Sequence, residues 1–181
     1  MRPLTPAIRR PAVGALGALA ALGAAAVLGS GASPAQGLAV KASTPACRTP
    51  GLVIWLDTQP NGTAGTDFYT LHFTNLSGRT CTLRGYPGVS AVSLTGRQVG
   101  QSAKRDSTIR VRTITIRNGA SASATLGLVD TANFPSSLCG AVTAAGLKVY
   151  PPGQTTAKTI PFPFSACSRS AASSLKIRAV S

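Results

Sequence analysis

Glutamate is absent from this chain of 181 residues, and the only acids are Asp57, Asp67, Asp106 and Asp130. There is one histidine, His72, and one tryptophan, Trp55. Hydrolytic chemistry ordinarily needs paired carboxylates, or a nucleophile beside a base. Four scattered aspartates and a histidine with no obvious acidic partner offer neither. No Gly-x-Ser-x-Gly elbow occurs, and Ser102-Ala103-Lys104 is too short for a Ser-x-x-Lys motif. There is no phosphate-cradling glycine loop; the glycines punctuate turns. The composition therefore points away from an enzyme and implies no cofactor. A zinc site is disfavoured for the same reason, because no Cys-x-x-Cys occurs and His72 stands alone.

What is plentiful begins at the N-terminus. Arg2, Arg9 and Arg10 are followed by Pro11, by an uncharged Ala/Gly/Leu run from Ala12 to Gly29, and by small residues from Ser30 to Ala39. Basic, apolar and small-residue regions in that order describe a secretory signal peptide. Residues 1–35 are assigned to it, with Ala39 as the alternative end. The rival is an uncleaved anchor, since about 20 apolar residues span a bilayer; the glycine and alanine content argues against it. The Arg9-Arg10 pair leaves twin-arginine export open, although Pro11 follows and no Phe-Leu-Lys comes after it. No cysteine near the cleavage region supports a lipid anchor.

Export leaves about 145 residues, the size of one ordinary domain. Three of the eighteen basic residues lie in the leader, so its removal takes the formal charge from +14 to +11. Cys47, Cys81, Cys139 and Cys167 all fall in the exported part, and an even count outside the cytosol reads as two disulfides. Three pairings are open. The favoured one joins each cysteine to its neighbour in the chain, Cys47–Cys81 and Cys139–Cys167, each closing a loop worth about 3.5–4 kcal/mol.

Residues 36–46 read as a flexible tether and 47–181 as the folded domain. Leu52 to Leu56 is a short apolar run, expected as a strand buried on both faces, with Trp55 in the core. Gln59 to Thr66, with Pro60, Asn61-Gly62 and Gly65, reads as a loop. Phe68 to Asn75 alternates, placing Tyr69, Leu71 and Phe73 on one face and Thr70, His72 and Thr74 on the other. Asn75-Leu76-Ser77-Gly78 turns into Thr80 to Arg84, where Cys81 and Leu83 share a face. Gly85-Tyr86-Pro87-Gly88 stops that strand, and Val89 to Leu94 resumes the alternation. Ile114 to Ile116 and Ala120 to Leu128 read as a hairpin. Hydrophobic phase favours a three-residue loop, Arg117-Asn118-Gly119, with Gly119 at positive φ. Val129 to Ala145 holds at most one helical turn, and Leu147 to Tyr150 is a strand. Thr159 to Ser165 carries Pro161 and Pro163, which cannot donate to a ladder, so it is an edge or bulged strand. Leu175 to Ala179 is the last strand, with Lys176 and Arg178 facing out.

Eight or nine short strands with no helical period predict an all-β, two-sheet β-sandwich, immunoglobulin-like in general architecture and carrying two disulfides. The stretch Phe73-Thr74-Asn75-Leu76-Ser77-Gly78-Arg79-Thr80-Cys81-Thr82-Leu83-Arg84-Gly85-Tyr86-Pro87-Gly88 carries a resemblance, joined by Asn118-Gly119, Cys139, Tyr150-Pro151-Pro152-Gly153 and Cys167. On these residues the chain resembles a family of secreted actinobacterial proteins known only as a domain of unknown function. The resemblance covers most of Cys47 to Val180. It implies a β-sandwich in the exported fraction and brings no activity or catalytic residues. Asn118 departs from the family pattern, where proline often precedes the glycine.

The positive charge is the property with functional reach, since a strong field on a small domain attracts polyanions. The expected role is a non-catalytic secreted or cell-wall-associated binding module. Its partners would be an anionic cell-wall polymer or a membrane surface, with no transmembrane span after cleavage. The candidate binding residues are Arg79, Arg84, Tyr86, Arg97, Lys104, Arg105, Arg110 and Arg112. The bland alternative is a solvated basic surface without a specific partner. No aromatic interrupts Arg97 to Arg117, which argues against specific nucleic-acid binding. A second expectation is a secreted protease inhibitor presenting Gln59 to Asp67 or Val129 to Cys139; a third is an uncharacterised enzyme using His72 and the aspartates. The sequons Asn61-Gly62-Thr63 and Asn75-Leu76-Ser77 are read as coincidental, because the Ala/Gly/Arg usage of the leader looks bacterial.

Overall fold

The computed structural model describes residues 43–181; the expected signal peptide and the first part of the tether lie outside them. Among these residues twelve strands build three hydrogen-bonded sheets around a main core. In chain order they are β1 (Leu52–Leu56), β2 (Asn61–Thr63), β3 (Thr66–Asn75), β4 (Cys81–Arg84), β5 (Gly88–Val92) and β6 (Gln98–Val99). Then come β7 (Lys104–Asp106), β8 (Thr113–Ile116), β9 (Ser121–Val129), β10 (Ala141–Tyr150), β11 (Lys158–Cys167) and β12 (Leu175–Arg178). The larger sheet runs β1-β3-β9-β12-β7, with β2 also paired to β3. The second runs β11-β10-β5-β6, and β4 with β8 forms a small third sheet. The fold is all-β and sandwich-like.

Alternation builds this core. Leu71 and Phe73 on β3, Ala122, Ala124 and Leu126 on β9, and Leu175 and Ile177 on β12 all point inward from the larger sheet. They meet Val89, Ala91, Leu147 and Val149 from the second sheet and Cys81, Leu83 and Ile116 from the third. Each fully buried leucine or phenylalanine contributes roughly 1.5–3 kcal/mol of transfer free energy. The disulfides are Cys47–Cys81 and Cys139–Cys167, as neighbour pairing anticipates. Cys47–Cys81 lies in the main core, whereas Cys139–Cys167 anchors a satellite cluster with Ala172 and Phe134. The proline-bearing β11 is an edge strand, and its register with β10 shifts between Ala144 and Gly146. Both outcomes follow from prolines that cannot donate to a ladder.

Several expectations are corrected. β8 and β9 do not pair with each other: β8 pairs with β4, and β9 with β3 and β12. Gly119 does take positive φ, at 82°, but the Arg117–Ala120 turn links two sheets rather than closing a hairpin. Hydrophobic phase correctly put Ile116 and Ala122 toward one core; it cannot specify the strand that lies alongside. Asn61-Gly62 is not a loop but part of β2, and the reversal falls at Ala64-Gly65, where Gly65 has φ 79°. Trp55 is not a core residue. β1 alternates, burying Leu52, Ile54 and Leu56 while leaving Val53 43% and Trp55 44% exposed. Leu94 does not continue β5; it sits 96% exposed in the turn to β6. β10 begins at Ala141, six residues before its predicted start at Leu147, once Gly140 in the left-handed region ends the single helical turn Ser136–Cys139. The tether's end is also ordered, because Thr82 N–H donates to the Pro45 carbonyl and Cys47 N–H to the Thr82 carbonyl.

Candidate functional site

The outward face of the larger sheet carries the side chains that β1, β3, β9, β12 and β7 turn away from the core. Cross-strand register arranges them in rows. Val53, Thr74 and Ser121 form one, and Trp55, His72 and Ser123 the next. Thr70 lies beside Thr125, and the last row runs Phe68, Gly127, Lys176, Lys104. The face is therefore hydroxyl-rich in the middle, aromatic at the β1 edge and cationic at the β7 edge.

At the aromatic edge the Trp55 indole stacks on the His72 imidazole, centroids 3.9 Å apart and planes 11° from parallel. Its Nε1–H donates to Thr74 Oγ1 at 3.1 Å, and Thr74 Oγ1 shares a 2.8 Å hydrogen bond with Ser121 Oγ. Two tethers thus fix the ring. Further along β3 the Phe68 ring lies against Gly127, where an added Cβ would come within 3.1 Å of it. The Arg178 guanidinium stands 5.7 Å from the centroid of that phenyl ring.

At the cationic edge Lys104 and Lys176 are exposed register partners on parallel strands, about 4.8 Å apart. Like charges side by side on a sheet cost stability, by roughly 0.2–1 kcal/mol. The nearest acid on this face is already committed. Asp106 Oδ2 accepts from Arg178 Nε at 2.9 Å, and Asp106 Oδ1 accepts from the Thr108 N–H at 3.1 Å. Arg178 first, and then Thr108, hold the Asp106 carboxyl down to about 2 from its ordinary value. This is the one salt bridge among the described residues.

The eight candidate residues of the sequence do not form one patch. Lys104 stands on this outward face, but Arg105, one residue on, points to the opposite side and lies 5.4 Å from the Tyr86 ring centroid. Arg110 and Arg112 line a shallow depression with Ile109, Ile114, Val180 and Ser181, and Arg84 lies opposite Thr113 beside Arg112. Arg79 is exposed in the turn after β3, and Arg97 in the β5–β6 connection. Sequence reasoning turned His72 outward with Thr70 and Thr74, but missed Trp55 and Phe68 as members of the face and did not join Lys176 and Arg178 to it. The outward phase of Lys176 and Arg178 was readable; which strand they lie beside was not. Arg105 and Arg178 each meet an aromatic ring supplied by a distant segment, although no aromatic interrupts the basic stretch itself.

A separate cleft of about 270 Å³ opens at one end of the molecule, lined by Gly65, Asp67, Tyr69, Asp130, Phe164 and Ser165 among others. Burial, and then the Asp67 carboxylate, push the Tyr69 hydroxyl above its ordinary value. Asp130 caps the turn Thr131–Asn133 by accepting from the Ala132 N–H at 2.9 Å. Among the described residues no group of three or more His, Cys, Asp or Glu side chains gathers as metal ligands. No helix among them is long and apolar enough to cross a membrane.

These features define a two-disulfide β-sandwich domain with an outward sheet face that is cationic at one edge and aromatic at the other. Residues 47–181 match the family described as Domain of unknown function (DUF4232), and the chain belongs to that family. No curated protein and no solved structure matches the chain.

Proposed function

We propose that the chain is a non-catalytic module, secreted or held at the cell wall, that engages anionic envelope polymers through its basic surface. One observation carries this reading. Lys104 and Lys176 are held side by side without an acid to neutralise them, while the acid nearest them, Asp106, is bound to Arg178. An arrangement that costs folding stability is the kind selected for an external partner, and a polyanion supplies the missing countercharge. The formal charge of +11 that remains once the leader's three arginines are removed acts in the same direction. The leader and the two disulfides support export to an oxidising compartment. The protein should bind isolated anionic cell wall at low salt and lose most of that binding at high salt, as screening shortens the reach of its charges. Binding that ignores salt would remove the electrostatic reading.

A second reading, a protease inhibitor, is favoured by one specific feature. The two loops able to present a rigid segment meet at the same end: the Asp130 N–H donates to the Gly65 carbonyl at 3.0 Å and Asn133 Nδ2 donates to it at 2.9 Å. Stoichiometric inhibition in a panel of extracellular proteases would support it; slow digestion of the protein without inhibition would dismiss it.

A further inference from the structure

The β1 edge of the outward sheet face has a feature that charge does not account for. Trp55 is the only tryptophan, and a large apolar ring left 44% exposed is a loss of core stabilisation that many positions could avoid. It is nevertheless held in place. One indole face is covered by His72, and its N–H is tied to Thr74. β1 is the edge strand, so among the described residues no strand of this sheet lies beyond the other indole face. The exposed ring is rigid, oriented and open on one side, and binding to such a surface loses little side-chain entropy.

The face also connects this ring to the cations. Four residues along β3 separate His72 from Phe68, and three inter-strand steps separate β1 from β12, so Trp55 and Lys176 stand about 20 Å apart. Between them the surface is Thr70, Thr125 and Ser123, with the Arg178 guanidinium over Phe68. Hydroxyls and imidazole nitrogens exchange hydrogen bonds with hydroxyl-bearing ligands in either direction. A π face carries partial negative charge and attracts the weakly positive C–H groups on the flat side of a sugar ring.

We propose that this face binds an anionic polysaccharide, one ring of which stacks on the open side of Trp55 while acidic groups further along the chain reach Lys176 and Lys104. The inference rests on the polyanion reading above and narrows it to a ligand class. A polyphosphate backbone satisfies the lysines but offers nothing to the indole. A neutral glycan satisfies the indole but not the lysines. Only a ligand with both features uses the whole face.

The test uses the disulfide-intact chain recovered from a secreting host, with three probes at low salt: a uronic acid oligosaccharide, inorganic polyphosphate of matched charge and single-stranded DNA. Because Trp55 is the sole tryptophan, its fluorescence reports directly on the stacking position. The uronate oligomer is expected to shift that emission and polyphosphate to leave it unchanged. By calorimetry, Trp55→Ala should weaken uronate binding about tenfold and polyphosphate binding by less than twofold. The paired variant Lys104→Ser, Lys176→Ser should weaken both ligands and flatten their salt dependence. Trp55→Phe keeps an aromatic face and should retain most of the uronate affinity, which separates stacking from a folding defect. Equal loss of both ligands in Trp55→Ala, or an unmoved emission on uronate binding, would overturn the sugar-stacking inference and leave the polyanion reading standing. Tighter binding of single-stranded DNA than of uronate would also overturn it. If none of the three probes binds at low salt, the polyanion reading and the inference fall together.

Discussion

Asn75 is fully buried at the point where β3, β4 and β8 converge, and its side chain uses all of its hydrogen-bonding capacity. Nδ2 donates to the Arg79 carbonyl at 2.8 Å and to the Ile116 carbonyl at 2.9 Å. Oδ1 accepts from the Ser77 N–H at 3.0 Å and from Ser77 Oγ at 2.7 Å. Its main chain adds two more bonds, donating to the Ala120 carbonyl and accepting from the Gly119 N–H. In Asn75→Ala the Ile116 carbonyl loses this partner inside the core, which costs about 1–3 kcal/mol. The Arg79 carbonyl and the Ser77 groups lie nearer solvent and should cost about 0.5 kcal/mol each. The expected total is about 3 kcal/mol. With a urea m value near 2 kcal/mol/M, that moves the unfolding midpoint down by about 1.5 M. The assay is equilibrium urea unfolding with both disulfides intact, followed by Trp55 fluorescence. Asn75→Asp should be at least as costly at neutral pH, because it turns a second acceptor toward two carbonyls and buries a charge. Ser77→Ala, at an exposed site, should cost under about 1 kcal/mol. A loss below 1 kcal/mol in Asn75→Ala would refute the view that this residue holds the three strands together.

Three further outcomes are expected. The Asp106 carboxyl titrates at about 2 when folded, against 3.8 ordinarily. Its contribution is therefore complete above pH 4 and lost as pH falls through 2; after solvent screening it is about 1 kcal/mol. The stability gap between wild type and Asp106→Asn should shrink across that window, and a gap constant from pH 6 to pH 2 would contradict the assignment. Gly100 has φ 60°, and an added Cβ would collide with the Cys167 carbonyl oxygen, whereas Gly119 has φ 82° with open space around it. Gly119→Ala should cost about 1–2 kcal/mol of backbone strain, and Gly100→Ala clearly more; equal thermal shifts would refute the distinction. The two disulfides span 34 and 28 residues, so loop entropy alone makes each worth about 3.5–4 kcal/mol. Removing the Cys47–Cys81 pair should nevertheless cost more in urea unfolding than removing Cys139–Cys167, because Cys47 and Cys81 also fill the main core. The reverse order would show that packing does not decide.

What the sequence made legible follows the range of the underlying physics. Pro161 and Pro163 announce an edge strand because a missing N–H excludes a central position, whatever the partners. Gly119 announces positive φ because the turn requires it locally. Neither effect names a strand neighbour, so the supposed β8–β9 hairpin became a crossing between sheets. The apolar run of β1 read as doubly buried because hydrophobicity alone hides alternation. Val53 and Trp55 are outward because Thr74 and His72 lie across from them, a pairing twenty-one and seventeen residues away. Asn75 read as an ordinary turn former; its value lies in partners from Arg79 to Ile116 that no local pattern contains. The candidate site was half legible for the same reason. The charge of the chain and the outward phase of Lys176 were readable, but the adjacency of Lys104 and Lys176 exists only once β7 lies parallel to β12.

The most direct measurement of the central claim is a hydrogen-exchange footprint of the protein with and without an anionic polysaccharide at low salt. Slowed exchange in β1, β7 and β12, around Trp55, Lys104 and Lys176, and its loss when salt is raised, is the expected result. Protection confined to the Gly65 and Asp130 end, or to the loop bearing Arg110 and Arg112, would contradict it.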